Sequence, residues 1–405
     1  MQDFLVVLNA IFYITLTLVL YGRKKYHIDE GVFLVGVYAL TALCCLYCYR
    51  TDLILNSWSF NLSGFVYLFV SVLIMARPAL NKKANYLYNK LSIVSNTKAF
   101  TVLKYLSYVY VLLSFVSVFY SSSDMLAGIG SDVWNDIYLD SDKYEDIYKN
   151  ALDGIAKRFT DYFRPVVLMF CFYSMTSNKI NLHENYFILF ATILSSLAIS
   201  MMTASRGNVV NVIFLVIICY LIFKKGIPHK IKRHIRFISI IAIVIISAFL
   251  FAVTQSRFGD SAIDSILYYM GHSMLAFDYG VYPCLEKYSS GTYLFNYFTE
   301  LLGIDSIPHK GMKLYTGEFI TVVGVFFKDF GPVLTLIFLF ILSSLVNKLI
   351  IRNRIDLADV FIYIFYISRV SYGITTVSSS EGFLWAVSLL IYMFLKFLFR
   401  LKISK

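Results

Sequence analysis

The chain has 405 residues, of which 59% are hydrophobic, 18% aromatic and only 15% charged. No soluble core can hide that much apolar surface, which excludes a soluble enzyme and a disordered scaffold and leaves a polytopic membrane protein. The formal net charge is +11, and its distribution along the chain assigns it to membrane topology rather than to a nucleic-acid partner.

Taken in chain order, apolar runs long enough to cross a bilayer are expected near residues 3–21, 31–48, 60–76, 101–120, 165–177, 186–203, 208–223, 237–254, 332–347, 357–373 and 383–399. The pattern predicts an all-α polytopic membrane protein of about eleven transmembrane helices, with residues 1–405 forming one transmembrane domain. An odd count puts the termini on opposite sides. The first run has no basic segment before it, "RKK" after it and no small-x-small cleavage pattern, so it reads as an uncleaved helix that starts outside.

Short loops kept in the cytoplasm are enriched in Lys and Arg. With the N-terminus outside, the inner segments hold 23 of the 36 basic residues, among them the run Lys224 to Arg236, but only five acids: Asp29, Glu30, Glu184, Asp356 and Asp359. This orientation places the N-terminus in the periplasm and the C-terminus in the cytoplasm.

Of the six cysteines, Cys44, Cys45, Cys48, Cys171 and Cys219 fall in expected spans and Cys284 outside, so no disulfide framework is implied. "CCLYC" lacks a second Cys/His cluster and reads as packing, not as a metal site.

Two outer segments are too long to be turns, 121–164 and 255–331. In the first, Tyr144, Ile147, Tyr148, Ala151, Leu152, Ile155 and Phe159 recur at helical spacing with Asp and Lys on the other face, which predicts an amphipathic helix at the outer interface with its charged face solvated. "DSDKYED" lacks the glycine and downstream glutamate of a calcium loop. In the second, Ile263, Ile266, Leu267, Met270, Met274 and Phe277 form an apolar stripe, which predicts that this loop packs back on the bundle. It also carries Arg257, His272, His309, Glu318 and Asp329.

Between the sixth and seventh runs stands "TASRGN", residues 203–208. A guanidinium at a bilayer is costly unless it faces water, a partner or a ligand. Arg206 and Arg257 open to the same side and make a clamp for a phosphate or diphosphate, which a planar guanidinium grips with paired hydrogen bonds. The competing reading of each is a snorkelling interfacial anchor. Arg369, in "YISRVSYG", either lines a cavity as a lesser ligand or pairs with Glu381. His272, on the stripe, reads as structural, and the histidines have no zinc spacing.

The chain resembles the Wzy-type oligosaccharide repeat-unit polymerases, also called O-antigen polymerases. The resemblance rests on the many-span layout with a large late periplasmic loop, on "TASRGN", on Arg257 to Gly259, on "YYMGHSMLAFDYG" followed by "SSGTYLFNYF", and on "YTGEFITVVGVFFKDFG". "KLYTGEF" departs from the pattern, since an Asn is expected shortly before the Tyr-Thr pair. Asp329-Phe330-Gly331 is no kinase signature, because the rest of that motif set is absent, and its glycine is expected to set a turn.

The resemblance implies glycosyl transfer at the periplasmic face of the cytoplasmic membrane, from one undecaprenyl-diphosphate-linked oligosaccharide to another. It implies Arg206 and Arg257, with Arg369 as the lesser candidate, as diphosphate ligands, and His309, Glu318 or Asp329 as the base for the acceptor hydroxyl. No cofactor and no metal are expected. The partners are the lipid-linked repeat unit, the bilayer and a chain-length regulator as a further possibility. An O-antigen ligase and a lipid-linked oligosaccharide flippase are the alternatives, and O-antigen, capsule or exopolysaccharide is left open as the product.

Overall fold

A computed structural model describes residues 2–81, 87–91, 97–128, 150–177, 182–202, 207–258, 262–313, 320–374 and 381–400. It is 83% helical with no strand among the described residues. The main helices are α1 (Gln2–Arg23), α2 (Glu30–Thr51), α3 (Leu62–Leu80), α4 (Thr97–Gly128), α5 (Ala151–Ser177), α6 (Leu182–Met202), α7 (Gly207–Phe223), α8 (His229–Phe258), α9 (Ala262–Ala276), α10 (Thr321–Ile351), α11 (Leu357–Tyr372) and α12 (Glu381–Arg400).

Each of the eleven expected runs overlaps one of these helices. Seven, namely α1, α2, α3, α4, α6, α10 and α12, contain stretches long and apolar enough to cross a membrane, and α7 is a shorter apolar helix. The chain is therefore an all-helical, multi-pass membrane protein. Large apolar side chains such as Leu112, Phe119, Val244 and Phe397 lie exposed on the outside of these helices, as a lipid-facing surface requires.

The described residues form two compact units: Met1–Leu87, Ile266–Ile355 and Tyr366–Ile391 make the first, and Tyr88–Ser265, Asp356–Phe365 and Tyr392–Lys405 the second.

In the first unit, α1 and α2 pack as a hairpin. Asp29 caps α2 by accepting from the Gly31 and Val32 N–H groups at 3.1 and 3.0 Å, which satisfies two of the donors every helix start leaves open. Helix α3 packs against α10 around Tyr67, Phe277, Tyr282 and Phe327, whose ring centroids lie 5.3–6.1 Å apart. The stripe on α9 does pack back: Gly271 lies so close to α2 that a Cβ there would sit 2.4 Å from the Cys44 carbonyl carbon. At the end of α9 a π-helical turn, Phe277–Val281, brings the Asp278 carboxylate to the start of α3, where it accepts the Asn61 N–H at 2.7 Å.

In the second unit, α4, α5 and α6 pack on one another, and α7 packs on α5 and α6. Helix α5 departs from expectation in which face it buries. Leu152 and Ile155 are exposed, whereas Asp153, Lys157, Thr160 and Arg164 are buried. Those four recur at steps of four, three and four residues, so one whole charged face of the helix points inward.

Candidate functional site

The site of the first unit is built on a defect in α10. Gly331 has a φ of 69°, outside the helical region, and Pro332 follows it. The expected turn at Gly331 is thus a kink within one long helix, and α10 begins eleven residues before the expected span. Proline has no N–H for the carbonyl four residues back, so the kink leaves carbonyls without helical donors. The loop from Ser289 to Leu294 takes them up: Ser289 N–H donates to the Lys328 carbonyl and Ser290 N–H to that of Asp329, each at 2.9 Å. The Asp329 side chain completes the clasp by accepting from Tyr293 N–H at 3.2 Å and Leu294 N–H at 2.7 Å. Ser290 and Gly291 reverse the chain with φ of 53° and 89°. Tyr67 Oη donates to the Pro332 carbonyl at 2.7 Å, on the far side of the kink.

This clasp presents three ionisable side chains. The buried Lys328 ammonium lies 4.3 Å from the centroid of the Tyr293 ring, a cation–π contact that offsets part of the cost of burying the charge. The half-buried His309 ring lies 6.4 Å from the same tyrosine. The strand-like pairing of Lys287 with Lys310 fixes the segment that carries His309. Burial, and then the Lys328 charge, push the His309 imidazole below its ordinary value. His309 is therefore neutral at neutral pH and able to accept a proton, beside a cation able to face an anion.

Arg369 and Glu381 adjoin the same loop. Arg369 Nε donates to Glu381 Oε1 at 2.8 Å, Nη2 pairs with Oε2, and Trp385 Nε1 adds a bond of 3.1 Å to Oε1. The next residue, Gly382, donates its N–H to the Leu294 carbonyl at 3.1 Å. Its close approach has a cause in the sequence, since a Cβ at Gly382 would sit 2.5 Å from that same oxygen.

Of the residues expected to act, the structure thus gathers His309, Asp329 and Arg369 around one loop. Both oxygens of Asp329 accept backbone N–H groups, and Arg369 takes the Glu381 pairing that was one of its two expected roles. Arg206 and Glu318 lie outside the described residues, and for Arg257 only its place in α8 is described. His272 is buried among the Trp58 and Tyr268 rings, at 5.5 and 4.6 Å between centroids. Lys328 and Tyr293 were not singled out from sequence, although a lysine inside the apolar run "VVGVFFKDF" is the signal that an ionisable group is retained for a purpose.

Fold and site together define a multi-pass helical membrane protein with a basic, partly buried cluster under a clasped loop. The chain matches no family model, no curated protein and no solved structure.

Proposed function

We propose that this protein is a membrane glycosyltransferase that polymerises undecaprenyl-diphosphate-linked oligosaccharide repeat units at the periplasmic face of the cytoplasmic membrane, with its N-terminus outside. The observation that carries the reading furthest is the pairing of a neutral imidazole, His309, with a fixed cation, Lys328, under the loop that Asp329 clasps. Transfer of a sugar to a hydroxyl needs a proton acceptor, and departure of a diphosphate needs positive charge. His309 is the base, Asp329 holds the loop whose Tyr293 ring lies beside the imidazole, and Lys328 supplies local positive charge. Arg206 and Arg257 are assigned to the diphosphate by residue type and by their places at the ends of apolar runs. The resemblance of "TASRGN" and "YTGEFITVVGVFFKDFG" to repeat-unit polymerases points the same way, as does the excess of Lys and Arg in the segments read as cytoplasmic.

In a strain lacking the native gene, the wild-type chain is expected to restore a ladder of polysaccharide lengths on a gel, and Arg206→Ala to leave single repeat units at near-normal protein abundance. Arg206→Lys is expected to be poor as well, because it keeps the charge and loses the two-pronged grip. A full ladder from well-expressed Arg206→Ala overturns the assignment of that residue.

A further inference from the structure

The start of α8, in the second unit, gathers positive charge where a helix disfavours it. Residues 224–236 hold six Lys and Arg, and no acidic residue stands between Glu184 and Asp260. The first turn of α8 contains Lys230 and Lys232 and no acid. The unsatisfied N–H groups of a helix start carry partial positive charge and favour anions there. Membrane orientation accounts for the number of these cations, but it is indifferent to their standing at this end of a helix. Their placement therefore asks for a compensating anion.

The fold holds the segment as a platform. Between α7 and α8 the Gly226 N–H donates to the Phe223 carbonyl at 2.9 Å, and the Lys232 N–H donates to that of Pro228 at 3.0 Å. Ile227, Ile231 and Ile235 are buried, and their steps of four put them on one face, which seats the helix on its unit. Another face stays open. Lys230, Arg233, Phe237, Ile241 and Val244 follow at steps of three, four, four and three residues, and all five are exposed. Described carboxylates of the same unit are engaged elsewhere: Glu184 with Lys104 at 3.3 Å, and Asp356 and Asp359 with Lys396 at 2.7 and 2.8 Å. Among the described residues, none of them pairs with Lys230 or Arg233. One helix face thus passes from cations to bare hydrocarbon within a single turn, as the boundary of a bilayer leaflet does, with phosphate outside and acyl chains beneath. A nucleic acid or an acidic protein segment would meet the cations and leave Phe237, Ile241 and Val244 uncovered.

We infer that this face of α8 binds an anionic glycerophospholipid, its phosphate on Lys230 and Arg233 and its acyl chains along Phe237, Ile241 and Val244. A guanidinium fork suits the paired oxygens of a phosphate diester. The ligand is a lipid of the bilayer itself and not the lipid-linked repeat unit of the proposed reaction, so the inference stands apart from that reading.

The test puts the full chain, carrying Phe237→Trp as a local reporter, into phosphatidylcholine bilayers that contain brominated phosphatidylglycerol or brominated phosphatidylcholine, whose bromines quench a neighbouring indole. Signal from the three native tryptophans is subtracted with the chain that lacks Phe237→Trp. Phosphatidylglycerol is expected to contact the introduced indole about fivefold more readily than phosphatidylcholine. Lys230→Gln/Arg233→Gln is expected to bring that ratio to about one. Arg352→Gln/Arg354→Gln, which removes as much charge from other exposed residues, is expected to leave the ratio unchanged. Equal quenching by the two lipids overturns the inference, as does a preference that survives Lys230→Gln/Arg233→Gln. A preference lowered equally by both double variants also overturns it, since it assigns the effect to net charge. Should Lys230→Gln/Arg233→Gln fail to fold, Arg233→Gln alone decides: a reduced preference supports the inference and an unchanged one overturns it. These results are independent of whether the polysaccharide ladder appears.

Discussion

At the scale of single residues, the proposed role of His309 depends on its charge, which burial and then the Lys328 ammonium hold neutral. The lysine opposes protonation of the imidazole, so its removal must raise the histidine's pKa toward the ordinary value of about 6.5. If neutral His309 is the base, the wild-type rate of transfer falls on acidification only below that value. Lys328→Met is expected to move this acid limb to higher pH, readable in the pH dependence of kcat/KM; an acid limb that stays in place would remove His309 from the role of base. Asp329 shows how far residue type alone carries. A carboxylate beside an apolar helix was a fair candidate for the base, but both its oxygens are engaged with the Tyr293 and Leu294 amides. Sequence spacing cannot reveal that, because the partners lie thirty-five and thirty-six residues upstream.

At the scale of elements, the apolar helices were legible and the mixed ones were not. The runs in α1, α2, α4 and α12 follow directly from hydropathy, which registers the lipid-facing surface they share. Residues 165–177 are expected as a span, and the stripe from Tyr144 to Phe159 as a separate amphipathic helix at the interface, whose described part carries Asp153 and Lys157 and is followed by Asp161 and Arg164. Helix α5 in fact runs from Ala151, and three of those four side chains are turned inward. Amphipathicity was visible in the sequence, but in a lipid surrounding the polar face can be the buried one, and periodicity alone does not say which face that is. The span of helix α10 is similarly expected to begin at 332, since Gly331 is expected to set a turn before it. The kink at Gly331 reconciles the two, because a helix interrupted by Gly-Pro is cheap where other groups satisfy the freed carbonyls. Gly331→Ala is expected to destabilise the protein by about 1–3 kcal/mol, the penalty for a residue with a Cβ at a positive φ with extended ψ, a region essentially reserved for glycine. The ring of Tyr288, 2.8 Å from such a Cβ, adds a clash, and because the same kink presents the carbonyls of Lys328 and Asp329, transfer activity should fall with it. Chemical denaturation of the purified chain checks the first effect, and a variant as stable and as active as wild type would show that the clasp does not need the kink.

At the scale of the whole molecule, composition alone defined a multi-pass helical membrane protein, and the fold agrees. The candidate site was legible only in part: the segment 255–331 was expected to fold back on the bundle, and its described residues do so through Gly271, the π-helical turn and the clasped loop. The role of Lys328 needed the fold, since it depends on a kink and on a ring contributed from another segment. The central claim is that the chain joins lipid-linked repeat units, and the most direct measurement supplies the purified protein, in liposomes, with lipid-diphosphate-linked repeat units isolated from a strain that lacks the gene. A polymerase is expected to convert them into a ladder of lengths with release of one polyprenyl diphosphate for each new bond; repeat units that stay single, or that only cross the bilayer without being joined, would contradict it.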